Sequence, residues 1–379
     1  VDVIINCAAS IDFETRLDDI MNTNTRGPMR VLNLAQACEK PVTLVHMSTA
    51  YVGSHNPSGT RVMETLPKVN IDPEELMEKL KTMSPKEVEE KTPEWIGTHQ
   101  NTYTFSKALG ETMIERYHGD IPTAIVRPSI IVNAKTDPMP GWIENLSGAA
   151  AVAFYSHLGR CAVVQGSDNN IFDIVPVDYV VNATIAAAWQ VPQLPDKFRI
   201  YHSASSTLNP ISPNKAADMV MDFQQRFPSR KAFFKPEIQI VPDYWSFKRV
   251  QIQKTLSWGL GALAAGKNPA KVLEATLKAY FTMNVIRGFF IYFASNEWFY
   301  DASNVLDMDS KMSEADRKMF PVDCSKFRWD DYFDDFNAGL LEFVLKETDI
   351  QQRRKEYNEQ MGKVGGPGNT TVEGLQSQS

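Results

Sequence analysis

Asn101-Thr-Tyr103-Thr-Phe-Ser-Lys107-Ala-Leu-Gly-Glu111 is the stretch on which the reading of this chain turns. Tyr103 stands four residues before Lys107. On a helix that spacing puts both side chains on one face, one turn apart. An ammonium beside a phenol favours the phenolate, so the tyrosine is expected below its ordinary pKa of about 10. Such a pair can deliver a proton to a carbonyl oxygen near neutral pH. The lysine keeps donors to spare for the sugar hydroxyls of a bound cofactor. Taken alone the pair is commonplace on solvated helices, and its meaning comes from what flanks it.

Around it, strand and helix signals alternate through the first 205 residues. Val3–Cys7, Val42–Met47, Ala124–Val132 and Phe198–His202 are short β-rich runs, nearly continuous in apolarity, as in parallel strands covered on both faces. A helical stretch from about Leu17 to Glu39 separates the first two, and another runs from about Thr102 to His118. This alternation predicts an α/β doubly wound parallel sheet. The first strand begins at once, at Val1 rather than at a methionine, which predicts a sheet incomplete at its N-terminus.

Between residues 53 and 100 lies a long polar insertion. Asp72-Pro73-Glu74-Glu75 reads as a capped helix start, and Ser84-Pro-Lys-Glu87 has capping-box spacing. The insertion is expected either as a solvated excursion or as a wall beside the site, since it leaves the sheet directly after Ser48-Thr49. Past Val241 no strand pattern remains, and residues 213–347 are expected to form a helical second domain after a catalytic domain of residues 1–212. Residues 348–379, polar and then rich in Gly, Ser and Gln, are expected to be disordered.

Composition excludes several classes. A net charge of −7 argues against nucleic-acid binding, which needs a basic face. Cys7, Cys38, Cys161 and Cys324 lie far apart and form no CxxC, which suits buried thiols in a reducing, cytoplasmic setting and provides no metal site. No HExxH or GxSxG occurs, nor a charge-free apolar run of about 20 residues.

Ligands of doubly wound sheets bind at the carboxyl ends of the strands. Here Asn6-Cys-Ala8-Ala9 ends the first strand with small groups, Ser48-Thr49 ends the second with hydroxyls, and Arg127-Pro128-Ser129-Ile130 interrupts the next. With Tyr103 and Lys107 between them, this ordered set resembles the extended short-chain dehydrogenase/reductase superfamily, whose fold is a Rossmann-like sheet. Thr49-Ala-Tyr-Val52, Pro140-Gly-Trp-Ile-Glu144, Asp173-Ile-Val-Pro-Val-Asp178 and Met312-Ser-Glu-Ala-Asp-Arg-Lys-Met-Phe320 narrow the resemblance to alcohol-forming fatty acyl-CoA reductases with a helical "male sterility" C-terminal domain. The resemblance covers about residues 1 to 347 and leaves out the glycine-rich phosphate loop of that family.

The resemblance implies NADPH as cofactor, and long-chain acyl-CoA and fatty aldehyde as substrates. By position it makes Tyr103 the general acid, Lys107 the holder of the nicotinamide ribose, and Thr49 the partner of the substrate carbonyl, with Ser48 the alternative. Asn24 matches the asparagine that props the lysine through water, with Asn22 competing. Asn6, Ala8, Ala9, Pro128 and Ile130 join Tyr103 and Lys107 in lining the cofactor. No metal is implied. Cys7 is expected to be a buried structural thiol.

Two further features invite function. Phe281–Phe299 is strongly apolar but broken by Asn284 and Arg287, and it reads as a buried helix, an acyl-tunnel wall or a membrane-surface segment. Arg226, Arg230, Lys231 and Lys235, interleaved with Phe227, Phe233 and Phe234, form a basic cluster that reads either as a solvated face or as a landing site for CoA phosphates or lipid headgroups. Competing readings are a steroid or sugar-nucleotide enzyme of the same superfamily and a catalytically silent binding protein.

Overall fold

The computed structural model describes residues 1–146, 148–167 and 170–364. In chain order the N-terminal half runs β1 (Val3–Asn6), α1 (Leu17–Asn24), α2 (Arg26–Gln36), β2 (Thr43–Met47), β3 (Thr60–Val62), α3 (Pro73–Lys81), α4 (Pro85–Ile96), α5 (Thr102–Tyr117), β4 (Thr123–Pro128) and β5 (Ile130–Val132). It continues through α6 (Gly148–His157), β6 (Val163–Gln165), β7 (Ile174–Pro176), α7 (Val177–Gln190) and β8 (Phe198–Ser203). The remainder is α8 (Pro213–Arg226), β9 (Gln239–Val241), α9 (Tyr244–Ala264), α10 (Pro269–Ser295), β10 (Trp298–Tyr300), α11 (Ser303–Lys311), α12 (Glu314–Met319), α13 (Trp329–Gly339) and α14 (Ile350–Val364).

The central sheet is parallel, in the order β1-β2-β4-β8. β2 and β4 are buried almost throughout, as continuous apolar runs in a parallel sheet should be. β1 is different. It is an edge strand, and Val3 and Ile5 are exposed where cover on both faces was expected.

Three boundaries move for local reasons. The expected single helix after β1 is two, α1 and α2, parted at Thr25, whose hydroxyl donates to the Ser106 carbonyl of α5. The expected strand Ala124–Val132 is also two. β4 ends at Pro128, where the chain leaves the sheet, and β5 pairs separately with β7. Beyond Val241 the sequence promised only helix, yet β10 forms and pairs with β3 of the insertion. The tail departs as well: α14 occupies Ile350–Val364 where disorder was expected, while residues 365–379 lie outside the described residues.

The insertion caps as its sequence indicates. Asp72 accepts from the amides of Glu74 and Glu75, and Ser84 with Glu87 forms a reciprocal capping box. Leu76, Leu80 and Val88 pack on Leu17, Ile20, Phe105 and Leu109, so α3 and α4 are a wall behind α1 and α5.

The Pro-Gly-Trp motif is explained by close packing. Gly141 has φ +77°, and a Cβ there would overlap the Asp335 carbonyl, while a Cβ on Gly339 would overlap the Gly141 carbonyl. Asn133 completes the joint, donating to Gly141 O at 2.9 Å and Phe336 O at 3.2 Å. Asp178 holds the preceding loop by accepting from the amides of Lys135, Thr136 and Asp137.

Candidate active site

α5 begins at Asn101, whose side chain accepts from the Thr104 amide at 2.9 Å. Its next two turns carry Tyr103, Lys107 and Glu111 at intervals of four. Lys107 is 3% exposed, and its Nζ donates to the Met47 carbonyl at 2.7 Å, tying α5 to the carboxyl end of β2. Thr49 follows two residues on, caps the short helical turn Ala50–His55, and takes the Tyr51 amide on its hydroxyl at 3.2 Å. Tyr103, Lys107, Thr49 and Ser48 thus meet at the carboxyl end of β2.

The electrostatics differ from expectation. Burial pushes the Tyr103 phenol up to about 12, and the Thr49 side chain beside it only partly offsets this. Lys107 does not draw the phenol below its ordinary value, because its own ammonium is desolvated and falls to about 8. Tyr103 is therefore a protonated donor at neutral pH. Tyr103 also rests against Phe13, at 5.5 Å between ring centres.

Asn24 is fully buried. It accepts from the Ser10 amide at 2.9 Å, and it donates to the Ser10 carbonyl at 2.9 Å and to Ser106 Oγ at 3.2 Å. It braces the loop after β1 against α5, next to Lys107 in sequence. Asn22, the competing candidate, is exposed and accepts from Arg30 at 2.9 Å. Asn6 is buried at the end of β1, its Nδ2 3.2 Å from His46 Nδ1. Ala8 is exposed and Ala9 half-buried on the loop beyond. Pro128 closes β4, and Ile130 opens β5 against an apolar cavity. Cys7, expected as a buried thiol, is exposed, and Cys38 is half-exposed; only Cys161 and Cys324 are buried.

The chain's own groups fit a nicotinamide ribose. Ser48 Oγ, Ser129 Oγ and His46 Nε2 are buried at this edge with no partner among the described residues, and Lys107 has further N–H donors to give. Buried polar groups of this kind normally find partners.

Sequence reasoning missed the group that fixes this edge. Arg127 is 1% exposed and grips Glu111 through Nε at 2.9 Å and through NH2, while NH2 also donates to Thr65 O at 2.9 Å. Glu111 falls one further turn along α5, so the same spacing of four that linked Tyr103 to Lys107 pointed to it. The basic cluster is corrected too. Arg226 pairs with Asp222 and Asp334, Arg230 pairs with Asp349, and Lys231 caps the Leu345 carbonyl, so three of its cations are engaged within the chain.

The cavity beyond Ile130 is narrow, about 90 Å³ in volume, and lined almost wholly by carbon. Ile130, Val152, Val220, Phe290, Phe293 and Phe336 are among its lining groups. Phe293 also meets Phe13 at 5.9 Å and Tyr51 at 4.7 Å, so aromatic contacts run from the cavity wall to Tyr103.

A NAD-binding family profile described as male sterility protein matches residues 1–184, and a second profile of the same description matches residues 260–347. Fatty acyl-CoA reductase 1 of Xenopus laevis is 29% identical over 366 residues, spanning 94% of this chain and 69% of the relative. Fatty acyl-CoA reductase 2 of Mus musculus is 28% identical, spanning 91% of this chain and 66% of the relative. The chain belongs to the fatty acyl-CoA reductase family. It is an oxidoreductase of fatty acyl groups with a nicotinamide-binding domain. The fold is shared more widely. The terminal R domain of the myxalamid pathway superposes with a TM-score of 0.55 at 15% identity, covering 91% of this chain and 69% of that one. A Bacillus cereus UDP-glucuronic acid 4-epimerase superposes at 0.51 with 11% identity, covering 91% of this chain and 76% of its own.

Proposed function

We propose that this reductase converts long-chain fatty acyl-CoA to fatty aldehyde and then to the primary alcohol, using NADPH and releasing CoA. The observation that carries the reading is the convergence of Tyr103, Thr49 and Lys107 next to a cavity walled by carbon. An alkyl chain gains by leaving water for such a cavity, whereas a sugar would leave its hydroxyls unpaired there, which disfavours the epimerase alternative. NADPH rather than NADH follows the family resemblance.

A nicotinamide held by Lys107 at this edge would supply the hydride for the carbonyl carbon. The residues of this chain manage the oxygen and the proton. Tyr103 keeps its proton at neutral pH and donates it to the carbonyl oxygen as negative charge builds there. Thr49 is the second donor, with the unpartnered Ser48 hydroxyl in reserve. Lys107 holds the ribose, and Asn24 positions α5 beneath it. Asn6, Ala8, Ala9, Pro128 and Ile130 border the same edge. The buried thiols take no part, since burial raises Cys161 to about 12 and Cys324 well above its ordinary value. Residues 1–212 supply the chemistry, while residues 213–347 contribute much of the acyl wall. Four unpaired cysteines suit the reducing cytoplasm.

The test is to incubate the protein with palmitoyl-CoA and either NADPH or NADH, following free CoA and lipid products. Fatty alcohol made with NADPH, and lost in Tyr103→Phe, is the expected result. Cofactor binding with no reduction of palmitoyl-CoA or hexadecanal would overturn the reading.

A further inference from the structure

α9 and α10 form a helical hairpin that is apolar on both sides. Its inner side is conventional: Phe247, Val250 and Trp258 of α9 and Val272, Met283 and Ile286 of α10 are buried in one cluster with Val163 and Phe234. The outer side is not. Ile252, Leu256, Leu260 and Leu263 of α9 and Leu273, Leu277, Phe281, Val285 and Phe289 of α10 are all exposed, Leu260 to 68%. Spacings of three and four put each set on one stripe of its helix, opposite the buried residues. The sequence reading of Phe281–Phe299 as a buried helix therefore holds for only one side of α10. A helix apolar all round is covered all round, and a contiguous exposed stripe of this kind marks an interaction surface.

Charge indicates what covers it. Residues 244–295 carry seven Lys and Arg against one acid, Glu274, in a chain whose net charge is −7. Glu274 is taken up by Lys278. Arg249, Lys267 and Lys271 are exposed and have no salt-bridge partner among the described residues; Lys267 spends one donor on the Phe233 carbonyl at 2.8 Å, which leaves its charge unneutralised and further N–H donors to give. Lys267 and Lys271 flank the tip between the helices. The polar segment 365–379 has too few apolar side chains, Val372 and Leu375, to occupy two long stripes. Among the described residues no helix is long and apolar enough to cross a membrane. An apolar face with a basic fringe is the composition of a helix lying in the headgroup region of an anionic leaflet.

We propose that the α9–α10 hairpin docks this protein on an anionic lipid surface, with Leu256, Leu260, Leu277 and Phe281 entering the leaflet and Lys267 and Lys271 meeting the headgroups. The opposite side of α10 supplies Phe290, Phe293 and Ala294 to the cavity. One helix thus separates the lipid from the cavity proposed above for the acyl chain. The docking stands on surface chemistry and does not depend on the reaction.

The experiment is co-sedimentation of the substrate-free protein with vesicles of phosphatidylcholine alone or mixed with phosphatidylserine, over a range of NaCl. Wild type should sediment with the mixed vesicles, less so as salt rises. Leu256→Glu with Phe281→Glu should weaken binding by about tenfold or more, since both side chains would otherwise leave water. Lys267→Glu with Lys271→Glu should remove the preference for phosphatidylserine. All four positions are exposed, and unchanged circular dichroism and melting confirm that the variants fold. Wild type that sediments with neither vesicle overturns the proposal. So does a concentration-dependent dimer that Leu256→Glu with Phe281→Glu dissociates without any vesicle binding, which would make a second copy the occupant.

Discussion

α5 and the α9–α10 hairpin break the usual inside-outside rule in opposite directions. On α5, Lys107, Glu111 and Ser106 are polar and buried, each held by a partner from another element or an earlier turn. On the hairpin, leucines and phenylalanines stand in water. Exposed single apolar residues are ordinary, and so are buried polar groups that find partners. A helix that collects several of either kind is under a constraint other than folding. The first fits the catalytic role proposed for α5, and the second the docking proposed for the hairpin.

The largest effect should come from the buried polar side. Tyr103→Phe is expected to lower turnover by roughly 10²–10⁴, the usual contribution of a positioned proton donor, with melting nearly unchanged. A variant that retains full activity would reduce Tyr103 to a packing residue and collapse the contrast. Next come the partners of α5. Arg127→Met strands the buried Glu111 carboxylate and should cost about 3–5 kcal/mol in urea unfolding, while Arg127→Met with Glu111→Leu should recover much of that. No recovery would mean that Thr65 and His202, not the ion pair, set the value of Arg127.

Smaller effects sharpen the comparison. Glu64 accepts from the amides of His202 and Asn304, yet burial raises it to about 7 from an ordinary value of 4.5. Between those pH values the folded protein holds a proton that the unfolded chain has lost, so this group's contribution to stability falls as pH rises from 4.5 to 7. Glu64→Gln removes that titration. The difference in stability should move in the variant's favour as pH rises through this window and level off by pH 8, offset throughout by the loss of one acceptor for the His202 or Asn304 amide, checked by urea midpoints. The smallest effect belongs to the hairpin. Leu256→Glu with Phe281→Glu should shift stability by no more than about 0.5 kcal/mol per site in vesicle-free buffer, as exposed substitutions do. A loss of several kcal/mol would show that these side chains pack after all.

Local signals carried far along this chain. Asp72 and Ser84 cap their helices because a cap needs only the residues that follow it. The parallel sheet was legible in β2, β4 and β8, whose apolar runs hold at any packing detail. Tyr103, Lys107, Thr49 and Ser48 could be singled out in the sequence because spacing and strand-end position are local properties, and the structure places Lys107 on the Met47 carbonyl at the end of β2. Missed were β10, which is three residues long and made only by pairing with β3, and α14, whose polar composition resembles a solvated tail.

The sequence by itself determined the alternation of elements, the helix caps, and the identity of the groups brought to the sheet edge, because periodicity and capping act over a few residues. Tertiary structure alone decided that the Tyr103 phenol shifts up rather than down, the pairing of Arg226 and Arg230, and which stripe of α10 faces the cavity and which faces out. Each depends on desolvation or on a partner far along the chain, as Arg226 depends on Asp334. Burial and long-range pairing become defined only when the chain has closed on itself.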